Sequence, residues 1–128
     1  MPIDVRLKRA YDPASASDGY RVLIDRLWPR GITREHARLD EWARELAPSA
    51  ELRRWFGHDP TRFAEFDRRY NVELAAQKGK LRELRKRARE GTLTLVYGAR
   101  DTEHNDAVVL AATLRRGVRP GRVSKKNS

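Results

Sequence analysis

The chain has 128 residues, no cysteine and a formal net charge of +10, with 36% of its residues charged and 39% hydrophobic. This length suits one domain with a core of its own, and the lack of cysteine excludes disulfides, thiolate metal sites and cysteine nucleophiles. No apolar run has the length of a signal h-region or a membrane span, so a soluble cytoplasmic protein with no membrane partner is expected.

Asp4-Val5-Arg6-Leu7-Lys8 alternates with period two and reads as a short first strand toward a sheet edge. The Ser-, Asp- and Pro-rich stretch Asp12 to Gly19 is a loop. Tyr20-Arg21-Val22-Leu23-Ile24-Asp25 has a continuous apolar centre, which suits a strand buried on both faces in a parallel sheet. Trp28-Pro29-Arg30-Gly31 ends it, because proline removes a donor and restricts the residue before it. Thr33 then caps a predicted helix whose stripe is Leu39, Trp42, Ala43 and Leu46, stopping before Pro48.

Ser49 caps a short helix carrying Leu52, Trp55 and Phe56, and Asp59-Pro60 opens a longer one with Phe63, Phe66, Tyr70 and Leu74 inward. Gly79 is expected to break the path before a basic helix that turns Leu81, Leu84 and Ala88 to the core, with Gly91 as its left-handed stop. Thr92-Leu93-Thr94-Leu95-Val96-Tyr97 is the clearest strand. It leads into a helix from Asn105 to Leu114, apolar on nearly all sides and closed by Gly117. The order predicts a small three-layer α/β domain with a three- to four-stranded, mostly parallel sheet and flanking helices over residues 1–117, followed by a basic disordered tail at 118–128.

The positive charge is local. Residues 115–128 contribute +6 and Lys78–Glu90 contributes +5, which leaves the remainder at −1. Such segments are either a solvated helix face with a loose end or a docking surface for a polyanion.

Three polar clusters hold the candidate chemistry. They are Asp25-Arg26-Leu27-Trp28-Pro29-Arg30-Gly31, Trp55-Phe56-Gly57-His58-Asp59-Pro60 and Tyr97-Gly98-Ala99-Arg100-Asp101-Thr102-Glu103-His104-Asn105. The first and third follow apolar strands and so fall at strand carboxyl ends, the usual ligand position in an open α/β sheet. On these motifs, together with Gly19-Tyr20-Arg21-Val22-Leu23 and Leu46-Ala47-Pro48-Ser49, the chain resembles the YeaO-like group of small bacterial proteins across residues 4–116. The resemblance implies a Rossmann-like α/β fold and no established activity. More distant members carry cysteines where this chain has Tyr97 and His104-Asn105, so thiol chemistry does not carry over.

Arg26, Arg30 and Arg100 offer planar paired donors that suit phosphate or carboxylate, with Trp28 as a cleft wall and Asn105 at the start of the last helix as further ligand contacts. Asp25 and Arg26 are expected on opposite sides of the strand end. Asp25 and Asp101 either act in the cleft or neutralise Arg26 and Arg100 in a structural network, and both arrangements place opposite charges at strand ends. His58 and His104 titrate near neutrality, so with Asp25 and Asp101 they are the candidate acids and bases. Asp59 beside His58 reads as a helix cap. The spacing of Asp101, Glu103, His104 and Asp106 fits no familiar metal pattern, and no Gly-rich phosphate loop or nucleophile elbow is present. No metal and no cofactor is therefore expected.

The residues point to a cleft for an anionic small molecule such as a nucleotide. If there is turnover, hydrolysis or group transfer by a histidine or aspartate fits best, and whether the protein is an enzyme stays open. The alternatives are a nucleic-acid-binding module using the 78–90 helix and the tail, and a protein-interaction module marked by an exposed apolar patch. Oligomeric state is not legible.

Overall fold

The computed structural model describes residues 2–117 of the chain, so the predicted tail at 118–128 lies outside the described residues. Four strands form one sheet in the order β1-β4-β2-β3, every neighbouring pair parallel. They are β1 (Asp4–Arg9), β2 (Tyr20–Leu23), β3 (Glu41–Trp42) and β4 (Thr92–Tyr97). The helices are α1 (Arg34–Ala37), α2 (Ala50–Phe56), α3 (Phe63–Leu74), α4 (Lys78–Glu90) and α5 (Asp106–Arg116).

Alternation along the central strands divides the core. Leu93, Leu95 and Tyr97 of β4, with Val22 of β2 and Ile24 beyond it, face one side, where α2 to α5 supply Phe56, Phe66, Tyr70, Leu81, Leu84 and Leu110. Leu23 and Val96 face the other side and meet Ala10, Trp28, Leu39 and Trp42. The second layer is thin, built from the β1–β2 loop and the segment around α1. It is held by polar contacts as well as packing: buried Arg21 donates to the Ala37 carbonyl and to Asp18, and Thr94 Oγ1 donates to the Asp18 carbonyl. The three-layer α/β architecture and the edge position of β1 are as expected.

Three local expectations are corrected. The helix predicted through Leu39, Trp42 and Leu46 stops at Ala37, because Arg38 turns left-handed (φ 45°). Asp40 then exchanges bonds with the Arg21 backbone, and Glu41–Trp42 pairs with β2 as a strand. Sheet pairing overrode helical spacing at these residues. Gly79 lies inside α4 and breaks nothing; the chain bends one step earlier, in a 3-10 turn at Ala75–Gln77. Gly91 ends α4 in an extended conformation (φ −179°) rather than a left-handed one.

Candidate functional site

Beyond β2, Ile24 still pairs with Val96, and Asp25 is the first residue released from the sheet. Its Oδ2 accepts from the Gly98 N–H at 2.8 Å, which ties the ends of β2 and β4 together, and its carbonyl accepts from the Trp42 indole at 2.7 Å. The Trp28 indole donates to the Ile32 carbonyl and its ring meets Trp42 edge-on at 5.4 Å, so the Pro29 turn is fastened to the thin layer. Between this turn and the α2–α3 corner lies a cavity of about 260 Å³.

Its charged and polar lining is Asp25, Arg26, Arg53, His58, Asn105 and Asp106. Its apolar walls include Trp28, Pro48, Phe56 and Phe66. Asp106 is the first residue of α5, and Asn105 positions it as the helix cap: the Asn105 side chain accepts from the Val108 N–H and donates to the Asp101 carbonyl. Asp25 and Asp106 meet within hydrogen-bonding reach. Burial raises the Asp25 carboxyl, against the pull of Asp106, the Gly98 N–H, Arg53 and His58. Burial, followed by the Asp25 charge and the bond to it, pushes Asp106 well above the usual carboxylate range. Two acids this close disfavour a second negative charge, and of the two Asp106 is the more strongly raised.

His58 owes its place to backbone. Gly57 caps α2 left-handed, and His58 itself has φ 57°, a conformation that side-chain-bearing residues rarely adopt, which swings the ring beside Phe56. Arg53, three residues earlier on α2, and Arg26 make no ion pair among the described residues and lie on the same cavity.

Of the residues singled out in the sequence, Asp25, Arg26, Trp28, His58 and Asn105 come together in this cavity. Asp25 and Arg26 both line it, and the expected opposition fails because β2 ends at Leu23 and strand alternation no longer applies. Arg30, Arg100, Asp101 and His104 do not line it. Arg30 is exposed on the Pro29 turn, where its carbonyl accepts from the Tyr11 hydroxyl. Arg100 is exposed beyond β4. Asp101 accepts from the backbone of Glu103 and His104 and from His104 Nδ1 at 2.9 Å, while the His104 ring stands edge-on to Phe63. The backbone bond from Glu103, followed by that of the His104 ring, holds the Asp101 carboxyl below its ordinary value. The network imagined between Asp101 and Arg100 is therefore an Asp101–His104 pair.

Arg53 and Asp106 were not among the predicted site residues. Asp106 had one sequence mark, a carboxylate opening a helix otherwise apolar on nearly every side. Arg53 had none that separates it from Arg54, since the facing of a two-turn helix is set by the tertiary packing of Leu52 and Phe56.

A family model described as "Inactive DUF488-N3 subclade" matches residues 4–127. The chain belongs to this family. It is 46% identical over 113 residues to the uncharacterized protein YeaO of Escherichia coli (strain K12), covering 88% of this chain and 98% of that protein. It is 43% identical over 110 residues to the uncharacterized proteins Rv3073c of Mycobacterium tuberculosis (strain H37Rv) and Mb3100c of Mycobacterium bovis, covering 86% of this chain and 92% of each. No solved structure matches the chain. The YeaO-like resemblance is thus correct, and the family match extends past residue 116, where the motif resemblance ended.

Proposed function

We propose that the protein binds a small organic anion in the cavity between the Pro29 turn and α2. The observation that carries this reading is charge. Arg26 and Arg53 border the cavity without an ion-pair partner among the described residues, and burial disfavours the charged form of the two carboxyls that share it, Asp25 and Asp106. Each guanidinium offers a planar pair of donors to a phosphate or carboxylate. Trp28, Phe56 and Phe66 supply apolar walls for the rest of the ligand, which favours one with a flat or apolar body, a nucleotide among them. The description of the matching family as an inactive subclade favours binding without turnover. The setting we infer is the cytoplasm; among the described residues no helix is long and apolar enough to cross a membrane.

The test is a thermal-shift and calorimetric titration with an adenine nucleoside monophosphate, a pentose phosphate and inorganic phosphate. At least one should raise the melting temperature, since a ligand that prefers the native state stabilises it. The Arg26→Ala, Arg53→Ala double variant should lose roughly tenfold or more in affinity, the size expected for lost charged hydrogen bonds. If no probe binds, or if the double variant binds as the native protein does, the reading fails.

A further inference from the structure

Helix α4 carries seven cations, and the structure sorts them into two groups. Lys80 is paired with Glu41 and Glu83, Arg85 donates to the Leu114 carbonyl, and Arg87 stacks on the Tyr20 ring at 3.8 Å. These three fasten the helix to β2, β3 and α5. Lys78, Arg82, Lys86 and Arg89 make no ion pair or side-chain hydrogen bond among the described residues, and the last three are exposed. At 3.6 residues per turn they fall within an arc of about 80°, in a stripe about 16 Å long. Leu81, Leu84 and Ala88 take the opposite side, and Glu83 and Glu90 fall outside the arc. Like charges three and four residues apart, as in Lys78–Arg82, Arg82–Lys86 and Lys86–Arg89, repel one another on a helix face, and a bound polyanion relieves that repulsion.

The rest of this face indicates the class of partner. No large apolar side chain is exposed on α4; among the described residues the exposed ones are Tyr11, Leu27 and Val72. A helix seated in a membrane interface adds a buried apolar face to its charge, and a protein partner would normally find an aromatic or aliphatic anchor. A phosphodiester backbone requires only cations. The stripe also adjoins the end of α5, where Gly117 lies against the Arg85 guanidinium. The sequence beyond it adds Arg119, Arg122, Lys125 and Lys126 with no acid. From the unpaired stripe and its lack of apolar anchors, we infer that the α4 face is a sequence-independent binding surface for a nucleic-acid backbone. It uses residues separate from the cavity.

The experiment is fluorescence anisotropy of a labelled single-stranded RNA and a labelled duplex DNA with the full chain over a salt series. A variant with Lys78, Arg82, Lys86 and Arg89 all changed to alanine keeps a helix-favouring sequence on an exposed face, and circular dichroism checks its fold. Native protein should bind at low salt. The stripe variant should bind at least about tenfold more weakly, and its log-affinity against log-salt slope should be shallower by about three for single strands, the value for four lost phosphate contacts. A companion variant with Arg119, Arg122, Lys125 and Lys126 changed to alanine should retain the share of the slope due to the stripe. The inference is overturned if native protein binds neither probe, if the stripe variant binds unchanged, if the companion variant alone abolishes binding, or if anionic lipid vesicles or polyglutamate bind more tightly than RNA. The Arg26→Ala, Arg53→Ala variant should bind nucleic acid normally, so the cavity and the stripe can fail independently.

Discussion

Asp25, released from the end of β2, and Asp106, opening α5, bring two carboxyl groups into contact on one wall of the cavity. Both are raised, first by burial, so the folded protein holds a proton at pH values where the unfolded chain has already released it. Folding is then linked to proton uptake, and stability falls as pH rises from the ordinary carboxylate range through the folded value. Asp106→Asn keeps the shape and a donor for Asp25 but removes the second acid. Each unit by which a carboxyl is raised corresponds to about 1.4 kcal/mol. The variant should therefore be more stable than native protein by on the order of 1 kcal/mol at about pH 8, with little difference near pH 4. Urea midpoints across that range check it, and a native stability that rises toward pH 8 as steeply as the variant's would contradict the raised carboxyls.

His58 is strained for the sake of position. With φ 57° directly after a left-handed Gly57, it occupies a conformation that costs a side-chain-bearing residue about 1 kcal/mol or more. His58→Gly relieves that cost, offset in part by the greater freedom of glycine in the unfolded chain. Stability should change by less than about 1 kcal/mol, in favour of the variant, while affinity for whichever phosphate probe binds the native cavity falls. Chemical denaturation and calorimetry on the same preparation separate the two effects. A large destabilisation would make the ring a packing element instead.

Gly19 is fixed by a close approach at the other end of the sheet. It enters β2 with φ 64° and ψ −131°, and a Cβ there would lie 2.3 Å from the Thr92 carbonyl oxygen where β4 begins. An alanine must both adopt a glycine-only conformation and push apart the two central strands. Gly19→Ala should cost more than about 3 kcal/mol, seen as a large drop in melting temperature or loss of soluble protein.

Three of the four strands were legible: β1 from its period-two alternation, and β2 and β4 from short apolar runs that are buried on both faces. The caps at Thr33, Ser49 and Asp59 were legible for a local reason: each side chain accepts a bond from an amide two or three residues ahead. Leu39 to Leu46 was misread because its apolar spacing fits a helix equally well, and only pairing with a distant strand decides against it. In the site, Asp25, Arg26, Trp28 and His58 were found because they sit in compact motifs at element ends. Arg100 and Asp101 share that kind of position but turn away from the cavity, since the Asp101 carboxylate folds back onto its own turn. Arg53 and Asp106 join the site through the packing of whole helices, which leaves little trace in local sequence.

Asp18 should show the opposite pH behaviour from the cavity pair. It is buried beside Arg21, which is only 3% exposed, and it also accepts from Lys8 and the Ser15 N–H. Burial acts to raise its carboxyl, but the Ser15 bond, Lys8 and Arg21 outweigh it and hold the group below its ordinary value. The stability it contributes is therefore present above the unfolded-state value of about 3.9 and is lost as pH falls through the folded one. Asp18→Ala leaves the Arg21 guanidinium, which also holds the end of α1 through the Ala37 carbonyl, without its counter-charge. Removing one partner of a buried pair costs roughly 3 to 5 kcal/mol. Urea midpoints at about pH 7 should show a loss of that order, and the gap between native and variant should narrow at about pH 3. If the gap does not change with pH, Asp18 acts through shape and capping alone, and its ion pair with Arg21 contributes nothing to the thin layer.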